Sequence, residues 1–252
     1  MSSLSQAARS GVGAVRAGAR LAATGATAAV VAARARGVGA PGAISRKRAG
    51  VLRDGCRIAL RLHGVLVEAS GRPPEGPVLL ACNHVSWLDP LVVAAAVPCA
   101  PISKLDVRGW PLVGRLAGRL GVIFYDRGNR SSGRDVLREA ELALRNQVAL
   151  LNFPEGTTTD GAGVLRFHKG LFGLAARLGV PVVPVALRYQ PADIAWTGDA
   201  TFLPHYLRLA ARGRSRVRLR FGAPVTAAGH ADAAALAEAV RAEVVGLLEA
   251  AA

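Results

Sequence analysis

Residues 81–90 read ACNHVSWLDP, so Asn83 and His84 directly follow an apolar run and Asp89 lies five residues past the histidine. An imidazole titrates near neutrality and is a natural general base. A carboxylate on its second ring nitrogen would fix the tautomer and stabilise the imidazolium, the part aspartate plays in a serine-protease triad. Three other readings compete: a satisfied core histidine, a Ser-His-Asp hydrolase and a metal site. The chain contains no GxSxG elbow, which argues against a covalent serine mechanism. It has neither a second histidine at ligand spacing nor a CxxC pair, which argues against zinc. A base without an enzymic nucleophile points to direct attack by a substrate hydroxyl.

A scaffold must hold these residues. From about residue 67 the sequence alternates between short apolar runs and helical stretches. The runs 78–82, 101–104, 122–125, 148–153, 182–187 and 217–221 read as buried strands. Helical periodicity covers 88–96, 109–120, 132–145, 169–178 and 231–250. Such alternation predicts an α/β fold, a mainly parallel sheet flanked by helices. Ligand sites in these folds lie at the carboxyl ends of the strands. Four polar clusters fall there: Asn83-His84 with Asp89, Ser103-Lys104 with Asp106, Tyr125-Asp126-Arg127, and Phe153-Pro154-Glu155-Gly156-Thr157. Singly, each has a bland reading: Glu155 could cap a helix, and Asp126-Arg127 could be a surface ion pair of little worth.

Residues 1–48 form a unit of their own, rich in Ala, Gly and Arg, with eight basic and no acidic residues. They read either as a disordered basic tail or as a helical, membrane-interfacial extension ahead of a domain spanning 49–252. Residues 49–66 have the periodicity of one helix, with Arg53, Arg57 and Arg61 opposite an apolar face. The whole chain carries 32 basic against 17 acidic residues, a net +15, which favours polyanionic partners. Aromatics make up only 5% of it, poor material for base stacking, so nucleic acid is not the expected partner. Cys56, Cys82 and Cys99 fit no metal or redox spacing and are expected to be reduced and buried. Arg214, Arg216, Arg218 and Arg220 alternate with Val217, Leu219 and Phe221, a strand with one core face and one charged face.

In order along the chain, NHVSWLD (83–89), SKLDVRGWPLVGRLAGRLGVIFYDR (103–127), NFPEGTTTDG (152–161) and VPVVP (180–184) resemble the four blocks of the glycerolipid acyltransferases related to bacterial 1-acylglycerol-3-phosphate acyltransferase. The resemblance covers about 67–225. It implies acyl transfer from acyl-CoA or acyl carrier protein to a lysolipid hydroxyl, with no further cofactor and no metal. His84 would be the base held by Asp89, and Asn83, Lys104, Arg127, Glu155, Gly156, Thr157 and Thr158 would line the substrate site. It also implies a peripheral protein on the cytoplasmic face of the cell membrane, drawn to anionic lipid. Two positions depart from the pattern. Thr158 stands where the family has an arginine, so one bidentate phosphate partner is missing, and Asp106 stands where glutamate is common. The FPEGTTTDG form resembles the lyso-ornithine lipid branch and also some lysophospholipid acyltransferases with a larger head group, so the resemblance leaves the acceptor open between 1-acylglycerol-3-phosphate and these. Non-catalytic lipid binding is the competing class, against which stand the intact His84 and Asp89.

Overall fold

The computed structural model describes residues 2–38, 43–110, 113–126, 128–198 and 201–250, with the backbone alone for 2–10 and 130. Seven strands form one sheet: β1 (Val65–Ser70), β2 (Leu79–Cys82), β3 (Cys99–Lys104), β4 (Ile123–Tyr125), β5 (Ala149–Asn152), β6 (Val182–Gln190) and β7 (Ser215–Phe221). Their order is β1-β7-β6-β2-β5-β3-β4. All neighbours run parallel except β6 and β7. The mainly parallel sheet is therefore as expected. β2 and β5 are apolar and buried on both faces, as parallel strands sandwiched between helices must be. In β7 the odd positions are buried and Arg216 is exposed, so the arginines form the solvated face that the alternation implied.

One face of the sheet carries α2 (Arg46–Leu62), α3 (Asp89–Ala96) and α7 (Phe202–Ala211). Cys56, Leu60, Val92, Val93 and Leu209 meet Val217 and Leu219 there. The other face carries α5 (Arg130–Arg145), α6 (Gly170–Leu178) and α8 (Ala233–Glu249), which bury Ala140, Phe172, Leu174 and Val240 against Leu79, Leu150 and Val182. A short α4 (Val113–Arg119) precedes β4.

The N-terminal stretch is not a disordered tail. α1 (Ser2–Arg36) lies across α2 and α7. Its inner face is built of small residues: Ala17 packs with Tyr206 and Ala210, and Val31 and Ala35 pack against Val51, Leu52 and Leu116. The approach is close enough that a Cβ on Gly55 would come within 2.9 Å of a Val31 methyl. Arg20 fastens the crossing. Its guanidinium donates to the carbonyls of Leu62 (2.9 Å), Ala210 (3.1 Å), Arg212 (2.8 Å) and Gly213 (3.3 Å), so one cation satisfies the orphan carbonyls at the ends of α2 and α7.

Three elements differ from the sequence reading. The helix expected over 49–66 runs Arg46–Leu62 and is stopped at Gly64, which adopts φ +68°, so Val65 and Leu66 belong to β1. β1 itself was not anticipated, because as an edge strand it exposes every residue after Val65 and shows no apolar alternation. α7 was also missed: Pro204 in its first turn and the polar His205 and Tyr206 on its buried side hide the periodicity. The three cysteines are free and buried, and burial alone pushes the Cys56 thiol up to about 12.

Candidate active site

Consecutive neighbours in the sheet explain why the four polar clusters meet. β2, β5, β3 and β4 lie side by side and parallel, so the loops after all four leave the same edge. With strands spaced about 4.8 Å apart, the end of β3 sits roughly 10 Å from the end of β2.

His84 follows β2 directly. Its Nδ1 lies 2.7 Å from Asp89 Oδ2, and in the tautomer this contact selects Nδ1–H donates and Nε2 carries the lone pair. Asp89 opens α3 and is fully buried. Its Oδ2 also accepts from the backbone N–H of Val85 (2.6 Å) and Ser86 (2.8 Å), and its Oδ1 accepts from the Tyr189 hydroxyl (2.6 Å). A buried carboxylate at a helix N-terminus is thus provided with four donors. The imidazole stacks on Phe153, with centroids 4.2 Å apart and planes at 23°. Its side chain keeps 21% exposure, so the reactive edge reaches solvent.

Glu155 fixes the histidine from the other side. Its Oε1 accepts from the His84 N–H at 2.7 Å, its Oε2 from the Leu165 N–H at 2.8 Å, and the residue is 4% exposed. Burial raises its titration above the ordinary carboxylate value, and the two backbone donors partly offset this. The carboxylate is thus spent on the backbone rather than turned toward a ligand. Asn83 is likewise a clamp. Its side-chain amide donates to the Leu187 carbonyl (3.1 Å) and accepts from the Leu187 N–H (2.8 Å), and the residue is buried. Both had been expected to touch substrate; in the structure each holds the loop that bears His84.

The remaining expected residues divide. Gly156 had been expected to line the substrate site; its N–H is taken by the Phe153 carbonyl at 3.0 Å, closing a turn in which Gly156 has φ +74°. Thr157 is exposed. The Thr158 hydroxyl donates to the Trp196 carbonyl, and the Trp196 N–H donates to the Val85 carbonyl at 2.9 Å. The position where the family has arginine therefore ties the segment after β6 to the catalytic loop. Lys104 ends β3 at a cleft of about 270 Å³ lined with Leu105, Asp106, Tyr125, Asp126 and Gly128. Arg127 lies outside the described residues. Tyr189 was missed as a site residue, and Phe153, named within the fourth cluster, had been given no role. Tyr189 could have been found from the alternation Leu187, Arg188, Tyr189, Gln190, which places the tyrosine on the buried side of a longer β6.

The arrangement is a partly exposed imidazole held by a buried carboxylate at the strand ends of an α/β fold. Comparison with known proteins places it in a class. The acyltransferase family model matches residues 65–188. The chain is 39% identical over 168 residues to the lyso-ornithine lipid O-acyltransferase of Pseudomonas aeruginosa, spanning 65% of each chain. It is 35% identical over 216 residues to the protein of the same name from Brucella abortus, spanning 77% of this chain and 80% of that one. The crystal structure of the 1-acyl-sn-glycerophosphate acyltransferase from Thermotoga maritima superposes with a TM-score of 0.64 at 24% identity, covering 81% of both chains. The chain belongs to the acyltransferase family.

Proposed function

We propose that the protein transfers a fatty acyl group from a thioester to the hydroxyl of a lysolipid, with His84 as general base. The observation that carries this is the Asp89–His84 contact, with Nε2 on the open side and no serine, threonine or cysteine side chain hydrogen-bonded to the His84 ring among the described residues. Nε2 takes the proton of the acceptor hydroxyl while its oxygen attacks the thioester carbonyl. The tetrahedral intermediate collapses with cleavage of the C–S bond, and the imidazolium returns the proton to the departing thiolate. Asp89 stabilises the imidazolium in between. The resemblance assigns Lys104 to an anionic group of acceptor or donor; it stands about two strands away, at a cleft that Asp106 and Asp126 also line.

The acceptor that fits best is a lyso-ornithine-type lipid. Thr158 offers a hydroxyl already committed to Trp196 where a phosphate ligand would need a guanidinium, and two relatives that match this sequence over long stretches bear that name. Purified protein offered lyso-ornithine lipid and lysophosphatidic acid in parallel, each with acyl-CoA and acyl carrier protein donors, should acylate the former with the higher kcat/KM. Preference for lysophosphatidic acid would overturn the acceptor assignment and leave acyl transfer intact. Turnover with no pairing would overturn the reaction.

The working place of the protein is the cytoplasmic surface of a membrane. Among the described residues no helix is long and apolar enough to cross a bilayer. Val12 and Val15 of α1 and Leu203 and Leu207 of α7 are exposed, and α1 and α7 pack together with Arg34 and Arg36 exposed at the far end of α1. Val30 is also exposed, one turn before Arg34, and an apolar side chain beside a cation suits an anionic lipid interface. Binding to vesicles with 30% anionic lipid, roughly that fraction, should weaken markedly between 0.05 and 0.5 M salt, about a threefold fall in screening length. Salt-insensitive binding would remove the electrostatic part.

A further inference from the structure

We infer that Tyr189 is a positioning residue for the reaction: its hydroxyl holds Asp89 Oδ1, and through that carboxylate it sets the orientation and proton affinity of the His84–Asp89 pair. This rests on the reading of His84 as the base.

The two oxygens of Asp89 are used unequally. Oδ2 takes three donors, from the His84 ring and the backbones of Val85 and Ser86. Oδ1 takes one, the Tyr189 hydroxyl at 2.6 Å, and among the described residues it has no other. The short distance is that of a hydroxyl donating to a carboxylate. Tyr189 is 5% exposed and sits near the end of β6, two residues beyond Leu187, whose backbone clamps Asn83. One rigid strand end thus fixes both ends of the NHVSWLD segment, Asn83 through its amide and Asp89 through Tyr189. Burial, and then the charge of Asp89, raise the Tyr189 phenol well above its ordinary value, so it keeps its proton and stays a donor.

The neighbours leave this role to Tyr189. Cys82 faces the pair from β2 with its thiol raised well above its ordinary value by burial, then by Asp89 and Glu155. Glu155 faces it from the loop after β5. On α7 His205 accepts from Trp87 Nε1 at 3.0 Å and is lowered by burial. Arg57 of α2 meets α3 at its opposite end, at the Ala95 carbonyl. No other titratable group on these elements donates to Asp89 among the described residues.

Deleting the hydroxyl leaves a buried carboxylate oxygen unsatisfied. The carboxylate then becomes a stronger base and a stronger attractor of the imidazolium. Both effects raise the pH at which the pair gains a proton, so the acid limb of the pH–kcat/KM profile moves up. Tyr189→Phe keeps the ring and its packing. It should shift that limb to higher pH and lower kcat at neutral pH roughly 5- to 50-fold, with acceptor KM nearly unchanged. The second variant carries 3-fluorotyrosine at 189; its more acidic hydroxyl donates more strongly and should move the limb down. A role in packing alone predicts a wild-type limb in both. Limbs that do not move in opposite directions would overturn the inference. His84→Ala, run alongside, separates the two readings. If it is inactive while both Tyr189 variants behave as wild type, only the positioning role falls. If it is active, the base assignment falls.

Discussion

His84→Ala and Asp89→Asn should each lower turnover roughly 10³- to 10⁴-fold, and the double substitution should cost little more. The two side chains act as one device, so once the base is lost its partner has nothing to stabilise. Asparagine is the discriminating replacement. Its oxygen can stand at the Oδ2 position and still accept from Val85, Ser86 and the His84 ring. Its amide then meets the Tyr189 hydroxyl, which can turn and accept. Fold and tautomer survive, and what disappears is the negative charge that balances the imidazolium. The expected result is therefore a large fall in kcat with KM and melting temperature close to those of the parent. Multiplied penalties in the double variant would show two independent functions, and a near-normal Asp89→Asn would show that the charge is not used.

The second large effect is expected at Glu155. Its two oxygens serve two buried backbone donors, at His84 and at Leu165. An amide presents one acceptor and one donor, so Glu155→Gln must set an N–H against an N–H. An unsatisfied buried donor costs about 1–3 kcal/mol. A His84 displaced by an ångström loses on the order of 10²-fold in turnover. Glu155→Gln and Glu155→Ala should thus be similarly damaged, in melting temperature and in kcat. Wild-type behaviour of Glu155→Gln would remove the carboxylate from the positioning of His84. The stability gap also has a definite pH dependence. Burial raises the folded titration of Glu155, so the folded state holds the proton more tightly than the unfolded one. Its contribution is complete below the ordinary carboxylate value and declines as pH rises through the raised one. The Gln variant lacks this titration, so the gap is widest in acid and narrows on raising the pH, measurable by denaturant unfolding across that range.

Asn83, His84, Asp89 and Glu155 were each named from residue type and spacing, and the structure brings all four together. Two of the parts differ from expectation. Asn83 and Glu155 are polar residues at strand ends, a description that fits a ligand contact and a loop clamp equally well. Only the approach of Leu187 from β6 and of Leu165 from the segment after β5 decides for the clamp. Gly156 had been expected to line the substrate site, and its own turn consumes its amide. Tyr189 lies a hundred residues from Asp89, and no local pattern couples such positions.

By itself the sequence determined whatever depends on local chemistry: short apolar runs that must be buried strands, helices between them, a histidine with an aspartate five residues on, and the absence of a nucleophile elbow. These follow from periodicity and side-chain type, which act within a few residues. Tertiary structure decided what depends on distant approach. The strand order places the loops after β2, β5, β3 and β4 on one edge. Arg20 makes an ordered helix of a stretch whose composition also suits a tail, by reaching carbonyls some 190 residues away at the end of α7. Thr158 and Tyr189 acquired their parts in the same way. A hydrogen bond is made or lost over an ångström, and only the packed sheet sets that distance between residues so far apart in the chain.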